Sequence, residues 1–564
     1  MKYSELIKAN NELQNDSDAQ YKVAILSNIM VHQTKEICEY LLRIENVNAN
    51  VYLGDYDNIL QDSLKFKNFN AVIIFWEISN LIDGFHYKAN LINDIEYKNL
   101  INKVKTEIDL IFSNLKETSL VLVNRFSTLA FDQSSLNSTR MGELKNILNG
   151  HLYNHIKSNV KIIDIDKVIS KTSVSSSTSF RYYKSHKTLY SVDFFREYFS
   201  YINPIILSVN GVTKKALIFD CDNTLWKGVL GEDGVNGIEM YQEVQSIAVE
   251  LAKQGVIVGL CSKNNYDDVD DIVKHHKGMI LNDQHIVIKK INWNDKVSNL
   301  KEIASELNIN MDSVVFIDDS EFEVNLVREH LPMVKVFLVP PREYEYSMMI
   351  REVSGLFYNS NPTSEDIQKV GMYKTKLKMI KSEKEISNIE DYLKSLEIEV
   401  SIYADDIRIV KRISQMTQKT NQFNLTTKRY TETDIEKFIK SDSVSVLAFG
   451  VKDKFGDNGI SGLVILDISI NKVFIDTFLL SCRVLGRNIE YRLMDAIIDL
   501  AKKSKVKVID AEYIKTLKNE QVEDLYDRFG FEVGQRVNNS WRYQLDVKKY
   551  QSENFNYIGL KNGR

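Results

Sequence analysis

Two aspartates separated by one residue end an apolar run in the middle of the chain. The stretch ALIFDCDNTLWKGVLGEDG places Asp220 and Asp222 where the pattern predicts the end of a buried strand. Residues two apart on a strand project to the same side, so these carboxylates would repel each other unless a cation lay between them. A hard divalent cation, most simply Mg²⁺, would relieve that repulsion and leave coordination positions for phosphate oxygens. A lone pair of this kind more often caps a helix, so further groups must support the metal hypothesis.

Further reactive side chains follow the next apolar runs of the same region. LCSKNN ends with Ser262 and Lys263 beside a predicted strand, and NDKVSNL places Lys296 at a predicted helix start. FIDDSEFE ends a third run with Asp318 and Asp319. Because the carboxyl ends of parallel strands share one edge of a sheet, we expect these groups to meet there. Two acid pairs, a hydroxyl and a lysine are the functional groups that enzymes use for metal-assisted phosphoryl transfer.

The order of these residues resembles the haloacid dehalogenase superfamily of aspartyl-phosphate enzymes. Its D-x-D-x-T signature matches Asp220, Asp222 and Thr224. The resemblance implies that Asp220 is the nucleophile and that Asp222 is the general acid/base and a metal ligand through its backbone carbonyl. It implies that Asp318 is a further metal ligand, and we place Asp319 in the same metal shell.

The same resemblance assigns the groups that hold the phosphate. It implies that Ser262 and Lys296 bind phosphoryl oxygens, and we add Thr224 and Lys263 to this predicted phosphate site. Asp222 and Ser262 lie 40 positions apart, and Ser262 and Lys296 lie 34 apart, which leaves room for ordinary strands and helices only. We therefore predict no cap domain, so that a large partner or a neighbouring domain must cover the site.

The string FDCDNTLWKGVLGEDG, together with SKNN, resembles the FkbH-like subfamily (IIIC) of that superfamily. Its members dephosphorylate 1,3-bisphosphoglycerate and load the glyceryl unit onto the phosphopantetheine of an acyl carrier protein. Two later stretches, QMTQKTNQFNLTTKRY and LSCRVLGRNIEYRL, also resemble the subfamily. In the first, Asn421 and Asn424 belong to a dense polar run that we expect to line a polyol or pantetheine site. A solvated loop would have the same polar sequence pattern and is the alternative.

The second stretch contains Cys482, a candidate nucleophile. Arg483 follows it directly and a predicted helix starts about six residues on; positive charge and a helix N-terminus both favour the thiolate. The alternative is a buried small hydrophobic residue, which is the interpretation we give to Cys38, Cys221 and Cys261.

The residues after Cys482 resemble the R-x-x-G-x-G/A turn of N-acetyltransferase folds. Arg483, Gly486 and Arg487 match it, while Asn488 stands where glycine or alanine is expected. Asparagine tolerates a left-handed backbone, so the turn can persist. We expect the phosphopantetheine arm of a carrier protein, rather than free coenzyme A, to occupy this turn.

The first part of the chain has a weaker identity. Ser27, the stretch 54–57, Asn124 and His186 resemble the catalytic blocks of SGNH-type hydrolases. Ser27 lacks the G-D-S context and no D-x-x-H motif is present, so we expect a noncatalytic relative. Strand and helix patterns alternate here as in the middle segment.

These patterns predict a multidomain α/β protein, which is consistent with a length of 564 residues. We predict an SGNH-like α/β domain at 1–212 and a central doubly wound parallel sheet of the haloacid dehalogenase type, without a cap, at 213–360. A helical connector at 361–396 and an acetyltransferase-like α+β domain at 397–564, which handles the acyl group and pantetheine, complete the prediction.

Composition limits the partners and the environment. With 72 basic and 77 acidic residues, a net charge of −5 argues against nucleic-acid binding. The longest apolar runs fall short of a membrane span, and four scattered cysteines favour a reducing, cytoplasmic location. The predicted partners are an acyl carrier protein and a small phosphorylated three-carbon donor. A simple phosphomonoesterase, or a scaffold that only binds carrier proteins, remains an alternative.

Overall fold

The structure is a computed structural model that divides into two compact units. One unit comprises Met1–Asn210 with Tyr430–Asp434, and the other comprises Gly211–Arg429 with Ile435–Arg564. The described residues are 2–14, 21–132, 139–359, 363–385, 393–454, 456–469, 472–553 and 555–562. Residues 361–362 and 386–392 of the predicted connector therefore lie outside the described residues.

The first unit is built on a parallel sheet of five strands in the order β2-β1-β3-β4-β5. Its strands are β1 Tyr21–Ser27, β2 Ala49–Leu53, β3 Ala71–Phe75, β4 Leu120–Asn124 and β5 Val160–Ile163. Its helices are α1 Tyr3–Glu12, α2 Thr34–Arg43, α3 Ile59–Lys65, α4 Phe85–Lys88, α5 Asp94–Asn114, α6 Arg140–Asn154, α7 Ile165–Thr172, α8 Val174–Ser177, α9 Phe180–His186 and α10 Val192–Val209. Every residue of β3 and β4 is buried, as expected when helices cover both faces of a parallel sheet.

A second parallel sheet, in the order β10-β9-β6-β11-β12, opens the second unit. The strands of this region are β6 Ala216–Phe219, β7 Trp226–Lys227, β8 Glu239–Met240, β9 Ile257–Ser262, β10 Ile286–Ile291, β11 Val314–Asp318 and β12 Lys335–Leu338. Its helices are α11 Leu230–Asp233, α12 Gln242–Lys253, α13 Tyr266–His275, α14 Lys296–Leu307, α15 Glu321–His330 and α16 Glu343–Ser354.

Both faces of this central sheet are buried. Leu217 and Phe219 of β6 pack into one apolar cluster, and Ala216 and Ile218 pack into another on the opposite face. Only the two-residue strands β7 and β8 and a single turn of helix intervene between Asp222 and the start of α12. The predicted multidomain α/β fold, with an uncapped parallel sheet at its centre, is confirmed.

The rest of the second unit contains a mixed sheet in the order β18-β19-β17-β16-β15-β14-β13-β20. Its strands are β13 Ile398–Ala404, β14 Val444–Asp453, β15 Gly456–Ile468, β16 Lys472–Leu480, β17 Val508–Ile514, β18 Glu532–Val537, β19 Ser540–Asp546 and β20 Ile558–Asn562. The remaining helices are α17 Ser364–Glu385, α18 Val410–Lys419, α19 Glu432–Ile439, α20 Ile489–Lys503 and α21 Leu525–Arg528. Among the described residues, none of the helices has both the length and the apolar character needed to cross a bilayer.

Helix α17 falls within the segment predicted as a connector, but it is part of the packed structure. Its Tyr373 is buried in the apolar cluster that includes Ala216 and Ile218 of the central sheet, and Cys482 packs against the same cluster. The helix therefore joins the central sheet to the segment that follows β16.

Candidate functional site

The carboxyl edge of the central sheet gathers the predicted phosphoryl-transfer residues. In the parallel registers, Phe219 of β6 lies beside Leu260 of β9 and Ile317 of β11. Asp220 directly follows β6, while Ser262 and Asp318 are the last residues of the two neighbouring strands. All three side chains are buried. The sheet thus brings residues from three distant parts of the sequence to one edge.

Lys296 lies among these carboxylates at the first turn of α14. Its Nζ is 2.5 Å from Oδ2 of Asp318 and 3.2 Å from Oδ2 of Asp220. The side chain of Asp295 caps the helix by accepting a hydrogen bond from the amide of Ser298. Burial disfavours the charged form of Lys296. The attraction of the Asp220 and Asp318 carboxylates is larger than this effect and raises the pKa of the ammonium group. Burial raises the pKa of Asp220 to about 7, with Lys296 opposing that shift.

The same edge has a geometry suited to a metal ion. One carboxylate oxygen each from Asp220, Asp318 and Asp319 can be chosen so that all lie within 4.8 Å of one another. Oδ1 of Asp220 is buried and has no hydrogen-bond partner among the residues that the structure describes. Burial and the neighbouring Asp318 raise the pKa of Asp319. A set of crowded, desolvated carboxylate oxygens fits Mg²⁺, which prefers hard oxygen ligands.

The carboxylate of Asp222 accepts three hydrogen bonds and is not one of the three clustered carboxylates. Its Oδ1 accepts from Nε1 of Trp226 at 2.9 Å and from the amide of Leu230 at 3.0 Å. Its Oδ2 accepts from Nδ2 of Asn264 at 2.8 Å. This fixes the carboxylate two residues beyond Asp220, which suits a group that must deliver and receive a proton in one position.

The two remaining predicted phosphate ligands differ in their surroundings. The hydroxyl of Thr224 is buried without a hydrogen-bond partner among the described residues. Lys263 instead pairs with Glu323, its Nζ lying 2.7 Å from Oε1. Thr224 therefore has unused hydrogen-bonding capacity, whereas Lys263 already has an anionic partner.

A cavity of about 100 Å³ lies at the opposite, amino edge of the same sheet. Lys215, which precedes β6, and Val256, which precedes β9, contribute to its wall, as do Cys482 and Arg483. Lys215 and Asp220 are five residues apart along an extended strand, so their Cα atoms are separated by about 16 Å. The cysteine cavity and the carboxylate cluster are therefore distinct places at the two ends of one strand.

Cys482, separated from the end of β16 by one residue, begins a single 3-10 turn and is only partly buried. Its Sγ is 3.4 Å from the hydroxyl of Tyr373. Burial disfavours the thiolate, but Lys215, Lys376 and the Tyr373 hydrogen bond outweigh burial and lower the pKa of the Cys482 thiol. Burial instead raises the pKa of the other three thiols, which are all buried: Cys38, Cys221 and Cys261.

Helices α17 and α18 contribute further charges to this cavity. Nζ of Lys419 is 3.5 Å and Nζ of Lys369 is 3.8 Å from Oδ1 of Asp366, whose other oxygen accepts a hydrogen bond from Gln415 at 2.7 Å. Burial lowers the pKa of Lys369 to about 8 and that of Lys419 to about 7. The ammonium groups, acting against burial, lower the pKa of Asp366.

The α17 residues of this cavity are missing from the sequence-based site, although a signal for them exists. The polar positions of α17 that reach the cavity or Cys482 are spaced by three, four and three residues, which places them on one helical face: Asp366, Lys369, Tyr373 and Lys376. A charged helix with such a face differs from a linker that is solvated all round.

The predicted turn after Cys482 is only partly available to a ligand. Gly486 has φ 79° and Asn488 has φ 60°, so both adopt the left-handed backbone that the turn requires. Arg483 is buried and lines the cavity. Arg487 is also buried, but it pairs with the carboxylate of Asp453 and donates to the backbone carbonyl of Arg483 at 3.2 Å.

The two predicted asparagines occupy different environments. Asn421 lines the cavity, where its Nδ2 donates to the carbonyl of Gly211 at 2.9 Å. Asn424 is fully buried and does not line it. Its Nδ2 donates to the carbonyl of Thr420 and its Oδ1 accepts from the amide of Thr427, so both ends of the amide hold the loop in place.

In the first unit the hydrolase-like residues form no catalytic pair. The hydroxyl of Ser27 accepts a hydrogen bond from the amide of Ile29, and Asn124 bonds to the backbone of Trp76. His186 is exposed, and its Nδ1 lies 2.7 Å from Oγ of Ser185. Within the described part of this unit, no hydrogen bond joins Ser27 to His186.

Comparison with known proteins gives matches among solved structures only. No protein-family model matches the chain, and no curated protein matches it. The N-terminal part of protein BF1531 from Bacteroides fragilis, containing a phosphatase domain complexed with Mg, is 24% identical with a TM-score of 0.56. The match covers 64% of this chain and 99% of that one. This likeness shows a shared fold.

Two acetyltransferases also match part of the chain. The spermidine/spermine N-acetyltransferase SpeG from Vibrio cholerae is 17% identical over 27% of this chain and 95% of its own, with a TM-score of 0.21. The ribosomal-protein-S18-alanine N-acetyltransferase from Escherichia coli is 11% identical over 28% and 97%, with a TM-score of 0.22. Scores this low carry no argument about fold or function.

Proposed function

We propose that this protein is a Mg²⁺-dependent phosphatase of the haloacid dehalogenase type that also transfers a small acyl group. The observation that carries the proposal is the presence, in one compact unit, of a carboxylate cluster with a buried lysine and of a thiol with a lowered pKa in a cationic cavity. The phosphatase domain of BF1531, which shares the fold and was complexed with Mg, supports the first half.

The phosphatase half follows from the arrangement around Asp220. Its carboxylate attacks phosphorus and displaces the leaving oxygen, which Asp222 protonates; Asp222 then takes a proton from the water that hydrolyses the aspartyl phosphate. In this proposal Lys296, Ser262 and Thr224 hold the phosphoryl oxygens. Mg²⁺ bound by Asp220, Asp318 and Asp319, together with the Asp222 carbonyl, would supply charge that offsets the negative charge of substrate and carboxylates.

The acyl half depends on Cys482. An acyl phosphate is already activated toward thiols, so the step needs positioning and a thiolate more than strong acid catalysis. Cys482 captures the acyl group, or holds the site where the thiol of a carrier arm captures it directly. The donor that fits the resemblance is 1,3-bisphosphoglycerate or a similar three-carbon acyl phosphate, and the acceptor is the phosphopantetheine thiol of an acyl carrier protein.

Intact-mass measurement of the carrier protein tests this proposal. The enzyme is incubated with Mg²⁺, the donor and a carrier protein bearing its phosphopantetheine arm. We expect the carrier to gain the mass of a glyceryl unit, and a carrier without the arm to gain nothing. If the armed carrier gains no mass while phosphate is still released from phosphomonoesters, the protein is a simple phosphatase and the acyl-transfer proposal is wrong.

A further inference from the structure

The cavity beside Cys482 has a strong excess of positive charge. Six cationic side chains contribute to the described part of its wall: Lys214, Lys215, Lys369, Arg412, Lys419 and Arg483. Among the described residues of that wall, Asp366 is the one acidic side chain. Cationic groups that are crowded into a partly desolvated space repel each other, so this arrangement favours an anionic ligand.

Three of these cations share two acidic partners. Glu365 neutralises Arg412 at 2.6 Å, but Asp366 is shared between Lys369 and Lys419 at 3.8 and 3.5 Å. Burial, and then Lys369, lowers the pKa of Lys419 to about 7, a shift that a bound anion would oppose.

Arg483 provides independent evidence for a missing anion. It is only 5% exposed, yet its Nε and Nη2 have no hydrogen-bond partner among the residues described. Its Nη1 contacts the sulfur of Met372 at 3.0 Å, which is a weak acceptor. Leaving charged donors buried and unpaired is costly, whereas an anion in the cavity would satisfy them.

We propose that this cavity is an anion subsite in which Lys369, Lys419 and Arg483 bind the phosphate group of the acyl phosphate donor. The inference rests on the acyl transfer proposed above and adds a second phosphate site, about 16 Å along β6 from Asp220. The cavity of about 100 Å³ is larger than the space that a single water needs, so a small anion has room to enter it.

The subsite assigns a place to the leaving group of the acyl step. The Cys482 thiolate attacks the acyl carbon and a C–S bond forms, while the bond from that carbon to the phosphate oxygen breaks. Phosphate leaves with the electron pair and takes up a proton as hydrogen phosphate at neutral pH. Cationic side chains that hold this phosphate stabilise the charge that develops on it as the C–O bond breaks.

Protection of Cys482 from alkylation tests the subsite. The rate at which iodoacetamide modifies Cys482 is followed by peptide mass spectrometry in increasing inorganic phosphate, with sodium chloride holding ionic strength constant. The variants are Lys419→Gln and Lys369→Gln; the matched control is Lys411→Gln, because Lys411 is exposed on the same helix as Lys419. Thermal unfolding identifies any variant that fails to fold.

We expect phosphate to slow alkylation in the natural protein and in the Lys411 control. In the Lys419 and Lys369 variants, half-protection should need about ten-fold more phosphate or more, since a charge-assisted hydrogen bond is lost. If saturating phosphate does not slow alkylation of the natural protein, the subsite is refuted. Protection that is equal in all three variants would refute the assigned ligands. If 4′-phosphopantothenate protects at far lower concentration than phosphate or acetyl phosphate, the cavity holds the carrier arm and the donor assignment is wrong.

A parallel measurement separates the subsite from the proposed function. The natural protein is incubated with acetyl phosphate, and its intact mass and modified peptide are examined for an acetyl group on Cys482. Phosphate protection without any acylation would preserve the anion subsite and overturn acyl transfer through Cys482. Acylation that is equally fast in the natural protein and the Lys419 variant, without protection, would preserve the transfer and overturn the subsite.

Discussion

The two edges of the central sheet carry opposite charge. At the carboxyl edge, three carboxylates surround one ammonium group, that of Lys296. At the amino edge, six cationic side chains line a cavity in which Asp366 is the one acidic side chain among the described lining residues. Both places are largely buried, so the local excess of charge is poorly screened by solvent. The first edge is therefore suited to a cation with a phosphate, and the second to an anion beside a thiolate.

This difference indicates that one sheet can support two reactions that are chemically independent. The five residues from Lys215 to Asp220 span about 16 Å, which exceeds the reach of direct side-chain contact. Substitutions at sites this far apart usually act additively. A change at one edge should therefore leave the chemistry of the other edge close to its original rate, and each prediction below tests that independence.

The largest effect is expected from Asp220→Asn. The amide is isosteric but is not a nucleophile, so phosphate release from a phosphomonoester should fall by roughly 10⁴-fold or more. Release is measured as inorganic phosphate at saturating Mg²⁺. The alkylation rate of Cys482 in the same variant should match that of the natural protein. Activity retained within about ten-fold would contradict the nucleophile assignment and favour a noncatalytic scaffold.

A second large effect is expected from Cys482→Ala. Loading of the carrier protein should fall by roughly 10³-fold. This loss is smaller than that for Asp220→Asn because acyl phosphates react with thiols slowly even without a catalyst, and this background reaction would remain. The loss is measured by intact mass of the carrier over time. Phosphomonoesterase activity should change by less than about two-fold, since the sulfur is remote from Asp220. Unchanged loading would assign the acyl capture to the carrier thiol alone.

Removal of divalent metal should affect the carboxyl edge only. Treatment with EDTA should lower phosphatase activity by roughly a hundred-fold or more, and added Mg²⁺ should restore it, because the ion offsets charge in the transition state. Mg²⁺ should also raise the thermal midpoint by binding the folded state, and Asp318→Asn should diminish that rise. The alkylation rate of Cys482 serves as the control. Full activity after exhaustive chelation would exclude the predicted metal role.

The residues of the carboxyl edge could be predicted from the sequence because the patterns that identify them each span only a few neighbouring residues. A buried strand that ends in Asp220 and another that ends in Asp318 are each visible within a few residues. Parallel pairing with β6 in the middle then brings both ends together without further information. The position of Lys296 at a helix start is likewise predicted from the sequence, and in the structure Asp295 caps that helix.

The sequence predicts the amino edge only in part, through Cys482, Arg483 and Asn421, because its other components are scattered along the chain. The cavity combines the residue before β6, one face of α17, the end of α18 and the turn after β16. The face of α17 alone resembles a solvated surface, and the sequence predicts that segment as part of a connector. The polar run around Asn421 and Asn424 was correctly singled out as unusual, yet no local pattern shows that Asn421 reaches the cavity while Asn424 holds the loop.

The smallest predicted effect concerns the ionisation of Cys482. Its thiol pKa lies below the ordinary 9.0, so the thiolate is present above that lowered pKa and alkylation should rise with pH to a midpoint below 9.0. Lys215 is the strongest charge that favours the thiolate. Lys215→Met should therefore move the midpoint upward and slow alkylation at neutral pH by about three- to ten-fold. Lys411→Gln should leave the midpoint in place. A midpoint at or above 9.0 in the natural protein would show that burial outweighs the surrounding cations, and the two edges would then no longer differ in the reactivity proposed for them.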